Sequence, residues 1–152
     1  MILDGPRFPK ARNNRAAAIN TIPHSTGAAK AIGKVVPSVN GKLQGHAQRV
    51  QVPDGSVTEL TTVLNTETTA DEINEAFKAA FSDTDYYGYN DEGIVSSDIL
   101  GDTHGGVFDP TQTDVNTIDG VTLARTVSFY DNEYGFTSNM IRTLLYFAEI
   151  SE

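Results

Sequence analysis

The sequence predicts an α+β fold, in which helices cover one face of a mixed, mainly antiparallel sheet. Between Val121 and Phe129 apolar and polar residues alternate, which is the period of a strand with one buried side. The Asp119-Gly120 pair directly before this run is typical of a type I′ hairpin turn. Thr69 begins a capping box with Glu72, and the apolar residues that follow have the helical period. Hairpin strands beside amphipathic helices are the pattern of an α+β domain.

The strands follow from alternation and from turn residues. The run that begins at residue 121 is expected to bury four residues on one face: Val121, Leu123, Val127 and Phe129. Thr113–Ile118 is its expected hairpin partner. Two further alternating runs, Leu43–Val52 and Ser56–Leu64, are joined by the turn sequence Pro53-Asp54-Gly55, and we expect them to form an antiparallel pair. Residues 82–93 are expected to form a loop with one edge strand, and residues 94–110 a series of turns.

Three helices follow from the spacing of apolar residues. A short helix after Ser25-Thr26-Gly27 is expected to end before Pro37. The second begins at the capping box and is expected to bury one apolar stripe: Ile73, Ala76, Phe77, Ala80 and Phe81. The last helix has a similar stripe near the end of the chain: Thr137, Met140, Ile141, Leu144, Leu145 and Ala148.

Composition narrows the classes of partner and site. A net charge of −9 argues against nucleic acid and anionic membranes as partners. No apolar run reaches the length of a membrane span and no basic-then-apolar leader is present, so we expect a cytoplasmic protein with no membrane partner. The absence of cysteine excludes disulfides and thiolate metal ligands. The three histidines, His24, His46 and His104, lie far apart in sequence, and we expect no metal site.

Several polar residues lie at positions that either ligand binding or local structure would explain. A hydroxyl and free N–H groups at a helix start, as at Thr26 and Gly27, form an anion site or a plain N-cap. Arg49 lies in an apolar run, and a buried guanidinium requires an anion, either a bound phosphate or a carboxylate such as Glu59 or Asp98.

Asn132 lies at the corner between the last strand and the last helix. A rigid corner suits an amide that must point at a ligand. The alternative is a capping turn in which Asp131 and Asn132 satisfy backbone donors.

Several long segments of the chain resemble the phosphorylating glyceraldehyde-3-phosphate dehydrogenases. The run VSFYDNEYGF at Val127–Phe136 is similar to the S-W-Y-D-N-E run of that family, with Phe129 in place of the usual Trp. Five more segments match in the same order: LDGP at Leu3–Pro6, RAAA at Arg15–Ala18, IPHSTGAAKAIGKVVP at Ile22–Pro37, NGKLQGHAQRVQVPDGSVTEL at Asn40–Leu60 and IVSSDILGD at Ile94–Asp102. The resemblance covers the C-terminal, catalytic half of that enzyme and only that half.

The resemblance implies two phosphate-binding positions. Arg49 matches the arginine that contacts the substrate phosphate of glyceraldehyde 3-phosphate. Thr26 and Gly27 match the Thr-Gly pair that holds inorganic phosphate. Asn13 stands where the family's usual R-R-A-R run has an arginine, so one phosphate or interface contact of the family is in question.

The resemblance implies three cofactor-binding positions. Asn132 matches the residue that orients the nicotinamide carboxamide of NAD. Phe136 matches an aromatic residue, commonly Tyr, near the nicotinamide. Pro6 belongs to a loop that borders a neighbouring subunit's dinucleotide. NAD is therefore the implied cofactor of the intact enzyme, and we expect none to bind tightly to this chain alone.

The resemblance also implies domain organisation and assembly. Residues 1–15 match the remnant of an S-shaped interface loop, and residues 16–152 match the catalytic domain. The intact family enzyme is a homotetramer, in which the uncovered sheet face packs against a second subunit. The terminal helix docks on the dinucleotide domain there, so we expect part of Met140–Ile150 to be exposed and the chain to self-associate through the sheet face and this helix.

The resemblance finally implies what this chain lacks. The family's nucleophile is a cysteine, which is absent, and its histidine base belongs to a segment upstream, so His104 does not inherit that role. We therefore predict no catalytic residue in this chain and no dehydrogenase activity from it alone. The alternative is a free-standing, non-catalytic binding or assembly module derived from the same domain.

Overall fold

The computed structural model describes residues 4–5 and 11–151. The chain divides after Pro53 into two compact units. The boundary predicted from the resemblance, between residues 15 and 16, concerns the longer enzyme and stays a prediction.

The first unit is built on a two-stranded antiparallel sheet. Its regular elements are β1 (Ile22–Ser25), α1 (Ala28–Val35) and β2 (His46–Arg49). Strand β1 pairs with β2 so that Ile22 lies opposite Arg49 and Ser25 lies opposite His46. Ile22 and Ala16 are buried and form the small core of this unit. Short 3-10 segments complete it, at Ala11–Asn14, Ala17–Ile19 and Pro37–Val39.

The second unit contains a four-stranded sheet and two helices. Its elements are β3 (Ser56–Leu64), α2 (Ala70–Phe81), β4 (Gly88–Tyr89), β5 (Val107–Ile118), β6 (Val121–Tyr130) and α3 (Tyr134–Glu149). The strand order is β3-β6-β5-β4, antiparallel except for the parallel pair β4–β5. A mixed, mainly antiparallel sheet with helices confirms the predicted α+β class.

The hairpin between β5 and β6 is as the sequence predicted. Ile118 lies opposite Val121, and Asp119 and Gly120 have φ values of 51° and 78°. Two successive positive φ values are the signature of a type I′ turn. Strand β5 is longer than expected, because it begins at Val107 inside the predicted series of turns and has an irregularity between Asp109 and Asp114.

The predicted pairing of Leu43–Val52 with Ser56–Leu64 is wrong. Strand β2 pairs with β1, and β3 pairs along all nine of its residues with β6. The alternation identified both strands, but alternation does not specify a partner. The turn sequence between them leads into another sheet, with Gly55 at a φ of 85°.

The predicted buried face of β6 is wrong in its first half. Thr122 and Ala124 are only 1% and 2% exposed, whereas Val121 and Leu123 are half-exposed. Helix α2 covers this polar-looking face, because Phe108 lies opposite Ser128 and stacks on Phe77 of α2 at 4.2 Å. Thr122 is tolerated there since its hydroxyl makes a 3.0 Å hydrogen bond with that of Thr117. Val127, in the second half, is buried as expected.

Helix α2 begins with the predicted capping box. The Glu72 N–H donates to Thr69 Oγ1 at 3.2 Å, and the Thr69 N–H donates to Glu72 Oε2 at 2.9 Å. The second of these bonds lowers the pKa of Glu72. Its apolar stripe is less buried than predicted, since the bulky members Ile73, Phe77 and Phe81 are half-buried and the two alanines are exposed.

The apolar stripe of α3 is exposed, as expected for residues Met140–Ile150. Met140 and Ile141 are about half-exposed, and Leu144 and Leu145 are more so. No helix in the described part of the chain has the length and apolar character needed to cross a membrane.

Candidate functional site

Thr26 and Gly27 lie where β1 passes into α1. Thr26 Oγ1 accepts a hydrogen bond from the Ala28 N–H at 3.1 Å, so the hydroxyl caps the start of the helix while its own O–H remains able to donate. Gly27 has a helical φ of −93°, and a Cβ built on it would meet nothing within 4 Å. Both residues are exposed. The Thr26 hydroxyl therefore satisfies one N–H at the helix start, one residue before the N-cap Gly27, and both residues remain accessible to solvent.

Arg49 is the last residue of β2 and is exposed rather than buried. It forms no ion pair with a carboxylate among the described residues of its own unit, where Asp4 pairs with Arg15 instead. Asp98, one carboxylate considered as its partner, accepts the Val95 N–H at 2.8 Å. The guanidinium is available to an anion at the end of the two-stranded sheet.

Thr26 and Arg49 lie at opposite ends of this small sheet, since Arg49 is opposite Ile22 at the start of β1 and Thr26 follows Ser25 at its end. Thr26 lies beside Gly45, because a Cβ built on Gly45 would be 3.3 Å from Thr26 Cγ2. Gly45 and Arg49 are four positions apart, which is about 13 Å of extended chain. The resemblance predicts that the two residues share one phosphate-binding basin, and the two-stranded sheet by itself does not bring them into one.

The charges of the chain are divided between the two units. Residues 1–53 contain eight Lys or Arg and one acidic residue, whereas residues 54–152 contain three Lys or Arg and nineteen acidic residues. A basic unit favours anion binding despite the net charge of −9 of the whole chain. The total charge concealed this division, and summing the charge on each side of Pro53 reveals it.

Asp131 fixes the corner between β6 and α3. It is 2% exposed, and its oxygens accept three backbone N–H groups: Glu133 at 2.9 Å, Tyr134 at 2.7 Å and Gly101 at 2.9 Å. The bond from Gly101, followed by that from Tyr134, lowers the pKa of Asp131 because both favour the charged carboxylate. Asp131 thus takes the capping role that the sequence left open between it and its neighbour.

Asn132 extends from this corner toward β3. Its Oδ1 accepts a 2.8 Å hydrogen bond from Ser56 Oγ, and its Nδ2 donates to no described residue. A serine hydroxyl both donates and accepts, so the amide keeps one free end in either orientation. Phe136, in the first turn of α3, is 71% exposed. The corner presents an amide and an aromatic ring to solvent.

Three carboxylates meet beside Asn132. Ligand atoms of Asp54, Asp131 and Glu133 all lie within 4.8 Å of one another. Partial burial, and then the charge of Asp54, raise the pKa of Glu133. The Asp131 oxygens are already committed to backbone donors, and the expectation of no metal site stays a prediction.

The remaining predicted residues have simpler surroundings. His104 Nδ1 lies 2.8 Å from Asp102 Oδ1, and His24 Nδ1 lies 2.8 Å from the carbonyl oxygen of Ser25. Pro6 lies outside the described residues. The structure therefore places Thr26 and Gly27 at one end of the two-stranded sheet and Arg49 at the other, and Asn132 with Phe136 at one corner.

Comparison with known proteins decides the family. The model of the glyceraldehyde 3-phosphate dehydrogenase C-terminal domain matches residues 1–132. The chain belongs to this family. It is 58% identical over 150 residues to a glyceraldehyde-3-phosphate dehydrogenase of Lactobacillus delbrueckii subsp. bulgaricus, covering 98% of this chain and 44% of the relative. It is 55% identical over 153 residues to the enzyme of Streptococcus pyogenes, covering 100% of this chain and 45% of the relative.

A third relative agrees with these two. The glyceraldehyde-3-phosphate dehydrogenase of Streptococcus dysgalactiae subsp. equisimilis is 53% identical over 153 residues, and the match again covers 45% of its length. The chain thus spans less than half the length of the curated relatives that it matches. The matches extend across all the described site residues.

Proposed function

We propose that this chain is the catalytic-domain portion of an NAD-dependent glyceraldehyde-3-phosphate dehydrogenase of glycolysis, and that it supplies binding residues without the reacting ones. The reaction of the whole enzyme is the oxidation of glyceraldehyde 3-phosphate to 1,3-bisphosphoglycerate with uptake of inorganic phosphate. The observation that carries the proposal is the family match across Thr26, Gly27 and Arg49, in a sequence that contains no cysteine.

Two phosphate groups take part in this reaction, and we assign each to a different end of the β1–β2 sheet. Arg49 holds the phosphate of the substrate, because a guanidinium offers a planar pair of donors to phosphate oxygens. Thr26 and Gly27 hold inorganic phosphate with a hydroxyl and with N–H groups at the start of α1. Their separation of about 13 Å along the strand is compatible with two anions held at once.

Asn132 positions the nicotinamide ring. Its free amide end fits a carboxamide, which has both a donor and an acceptor, and the three backbone bonds of Asp131 keep the corner rigid. Phe136 stacks near the ring but has no hydroxyl to donate. NAD, when bound, would supply a hydride acceptor, and this chain would contribute only the orientation of its nicotinamide ring.

The chain has no group that forms the covalent intermediate with the aldehyde. That step needs a thiolate, and none of the 152 residues is a cysteine. Losing a nucleophile removes the covalent route rather than slowing it. We infer that the chain alone binds phosphate groups and does not oxidise the aldehyde.

We propose that the whole enzyme is a cytoplasmic homotetramer, as the resemblance implies. The sheet face opposite α2 carries exposed apolar residues such as Val63 and Val121, which suit contact with another subunit. The exposed stripe of α3 suits contact with the remainder of the enzyme or with a second copy.

A chimera tests the proposal. The segment of the Lactobacillus delbrueckii relative that matches this chain is replaced by this chain, and NADH formation is measured by absorbance. We expect the chimera to form NADH from glyceraldehyde 3-phosphate, NAD and phosphate, and the 152-residue chain to form none. A folded but inactive chimera would favour the non-catalytic binding or assembly module.

Substitutions in the chimera separate the roles. Arg49→Lys should raise KM for glyceraldehyde 3-phosphate about tenfold, since about 1.4 kcal/mol of bidentate contact is lost. Thr26→Ala should raise KM for inorganic phosphate, and Asn132→Ala should raise KM for NAD. Lys42→Ala, an exposed basic residue of the same unit, is the control and should leave all three unchanged. An equal effect of all four variants would refute the assignment.

A further inference from the structure

Ser56 connects the start of β3 to the corner that carries Asn132. Its hydroxyl donates to Asn132 Oδ1 at 2.8 Å, although the two residues are 76 positions apart in the chain. No other residue in the described part of the chain forms a hydrogen bond with the Asn132 side chain. Ser56 is half-buried whereas Asn132 is exposed, so this bond restrains an amide that otherwise faces water.

The backbone on both sides of this bond is held by other contacts. Ser56 is the first residue of β3 and lies opposite Tyr130 of β6. Asn132 directly follows Asp131, whose oxygens accept three backbone N–H groups. These contacts do not set the Asn132 rotamer, because an asparagine side chain rotates between staggered wells at χ1 and over a broad range at χ2. The Ser56 hydroxyl therefore adds the orientation of the amide to a backbone that is already fixed.

The turn before Ser56 leaves it little freedom to move. Gly55 has a φ of 85°, and a Cβ built on it would lie 2.8 Å from the carbonyl oxygen of Ser96 and 3.2 Å from Ile99 Cγ2. Ile99 is only 2% exposed, so the turn packs against a buried side chain. The Asp54 carboxylate also accepts the Gly55 N–H at 2.7 Å. A hydroxyl on so restrained a backbone can hold its acceptor in one place.

We propose that Ser56 is a positioning residue for the cofactor: it holds one end of the Asn132 amide, so that the other end faces the nicotinamide carboxamide of NAD. This inference rests on the proposed function of Asn132 and extends it to a residue that would not itself touch the cofactor. The role depends on a contact between residues distant in sequence, so no local pattern indicates it.

The expected effect is on cofactor binding rather than on the rate of the chemical step. Without the hydroxyl, the exposed amide samples several rotamers in the free protein, and NAD must restrict it on binding. What is lost is one exposed, neutral hydrogen bond, which is at the lower end of the usual net contribution. A restraint that acts equally before and during the reaction changes KM and not kcat.

Amide spectra of the 152-residue chain test the positioning without cofactor. The side-chain NH₂ signal of Asn132 is assigned by its loss in Asn132→Ala. Its ¹⁵N–¹H heteronuclear NOE should be high in the original chain, fall in Ser56→Ala and recover in Ser56→Thr, which restores the hydroxyl.

Ser82→Ala is the matched control for these spectra. Ser82 lies at the C-terminal end of α2, where its exposed hydroxyl donates to the Ala79 carbonyl oxygen at 3.0 Å. The substitution makes the same chemical change in another element, and it should leave the Asn132 NOE unchanged.

The chimera with the Lactobacillus delbrueckii relative tests the consequence for NAD. Ser56→Ala should raise KM for NAD about threefold to fivefold, with kcat and the KM values for glyceraldehyde 3-phosphate and phosphate unchanged. Ser56→Thr should restore the KM for NAD. In the Asn132→Ala background, Ser56→Ala should have no further effect, because the hydroxyl acts only through that amide.

Three results would overturn the proposal. The first is an Asn132 NOE, or a KM for NAD, that Ser56→Ala leaves unchanged. The second is an equal rise of all three KM values, or a Ser56→Thr variant that behaves like Ser56→Ala, because the hydroxyl would then not be the cause. The third is full additivity of Ser56→Ala and Asn132→Ala. An inactive chimera would instead refute the proposed function, and the NOE of the 152-residue chain would then decide whether Ser56 orients the amide.

Discussion

Replacement of Gly135 by alanine should destabilise the protein although alanine is the better helix former. Gly135 is buried in the first turn of α3, and a Cβ built on it would lie 2.5 Å from the carbonyl oxygen of His104. Its φ is outside the left-handed region, so the conflict is steric and not conformational. The backbone of residue 104 cannot move alone, because the adjacent Gly105 N–H donates to the Tyr86 carbonyl oxygen at 2.7 Å.

The magnitude follows from two opposed effects. Overpacking costs about 1–3 kcal/mol, and a 2.5 Å contact with a backbone oxygen places this substitution in the upper half of that range. The gain in helix propensity from glycine to alanine is at most about 1 kcal/mol. We expect Gly135→Ala to lower the free energy of unfolding by about 1–2 kcal/mol, which lowers the urea midpoint by roughly 0.5–1 M.

Urea unfolding followed by far-ultraviolet circular dichroism measures this change. Gly27→Ala is the matched control, since Gly27 also has a helical φ and a Cβ there meets nothing within 4 Å. The control should change the free energy of unfolding by less than about 0.5 kcal/mol. A Gly135→Ala variant as stable as the original chain would refute the close approach of α3 to His104, and with it the described corner.

Three further predictions concern the second unit. Thr69→Ala removes the capping box and should cost about 1 kcal/mol, or about 2–4 °C in Tm; no change would show that the cap is not formed in solution. A double-mutant cycle of Phe77→Leu and Phe108→Leu should give a coupling of about 0.5–1.5 kcal/mol, and zero coupling would contradict their stacking. Glu133→Gln should raise Tm at pH 7 but not below about pH 4. The pKa of Glu133 is raised in the folded state, which destabilises the protein only at pH values where the carboxyl is charged in the unfolded state. An equal gain in Tm at both pH values would exclude the repulsion from Asp54.

Local signals predicted the elements that depend on a few neighbouring residues. The I′ turn at Asp119-Gly120 and the capping box at Thr69 are set by side chains and φ angles within four residues, and both are confirmed. The partner of a strand depends on residues far along the chain. For that reason β3 was identified correctly but assigned to the wrong neighbour.

The buried face of β6 shows the same limit. Alternation gave two candidate faces, and hydrophobicity favoured the one with Val121 and Leu123. Helix α2 instead packs on the other face, where Phe77 stacks on Phe108 and a hydrogen bond satisfies the hydroxyl of Thr122. No local pattern contains that information.

The candidate site was predicted in its residues but not in its arrangement. The resemblance pointed to Thr26, Arg49 and Asn132, and chemistry alone left each with a structural alternative. The structure adds that Asp131 caps the corner, that Thr26 and Arg49 lie at opposite ends of the β1–β2 sheet, and that eight of the eleven Lys and Arg residues belong to the first unit. The charge division was readable from the sequence once the unit boundary was known.

A titration of the 152-residue chain with inorganic phosphate, followed by ¹⁵N–¹H amide spectra at constant ionic strength, tests the central claim most directly. The account predicts saturable shifts of the Gly27 and Ala28 amides and a separate response near Arg49. Thr26→Ala should abolish the first response and leave the second. An absence of saturable shifts at residues 26–28, or a response that Thr26→Ala leaves unchanged, would contradict a domain that retains phosphate binding without a nucleophile.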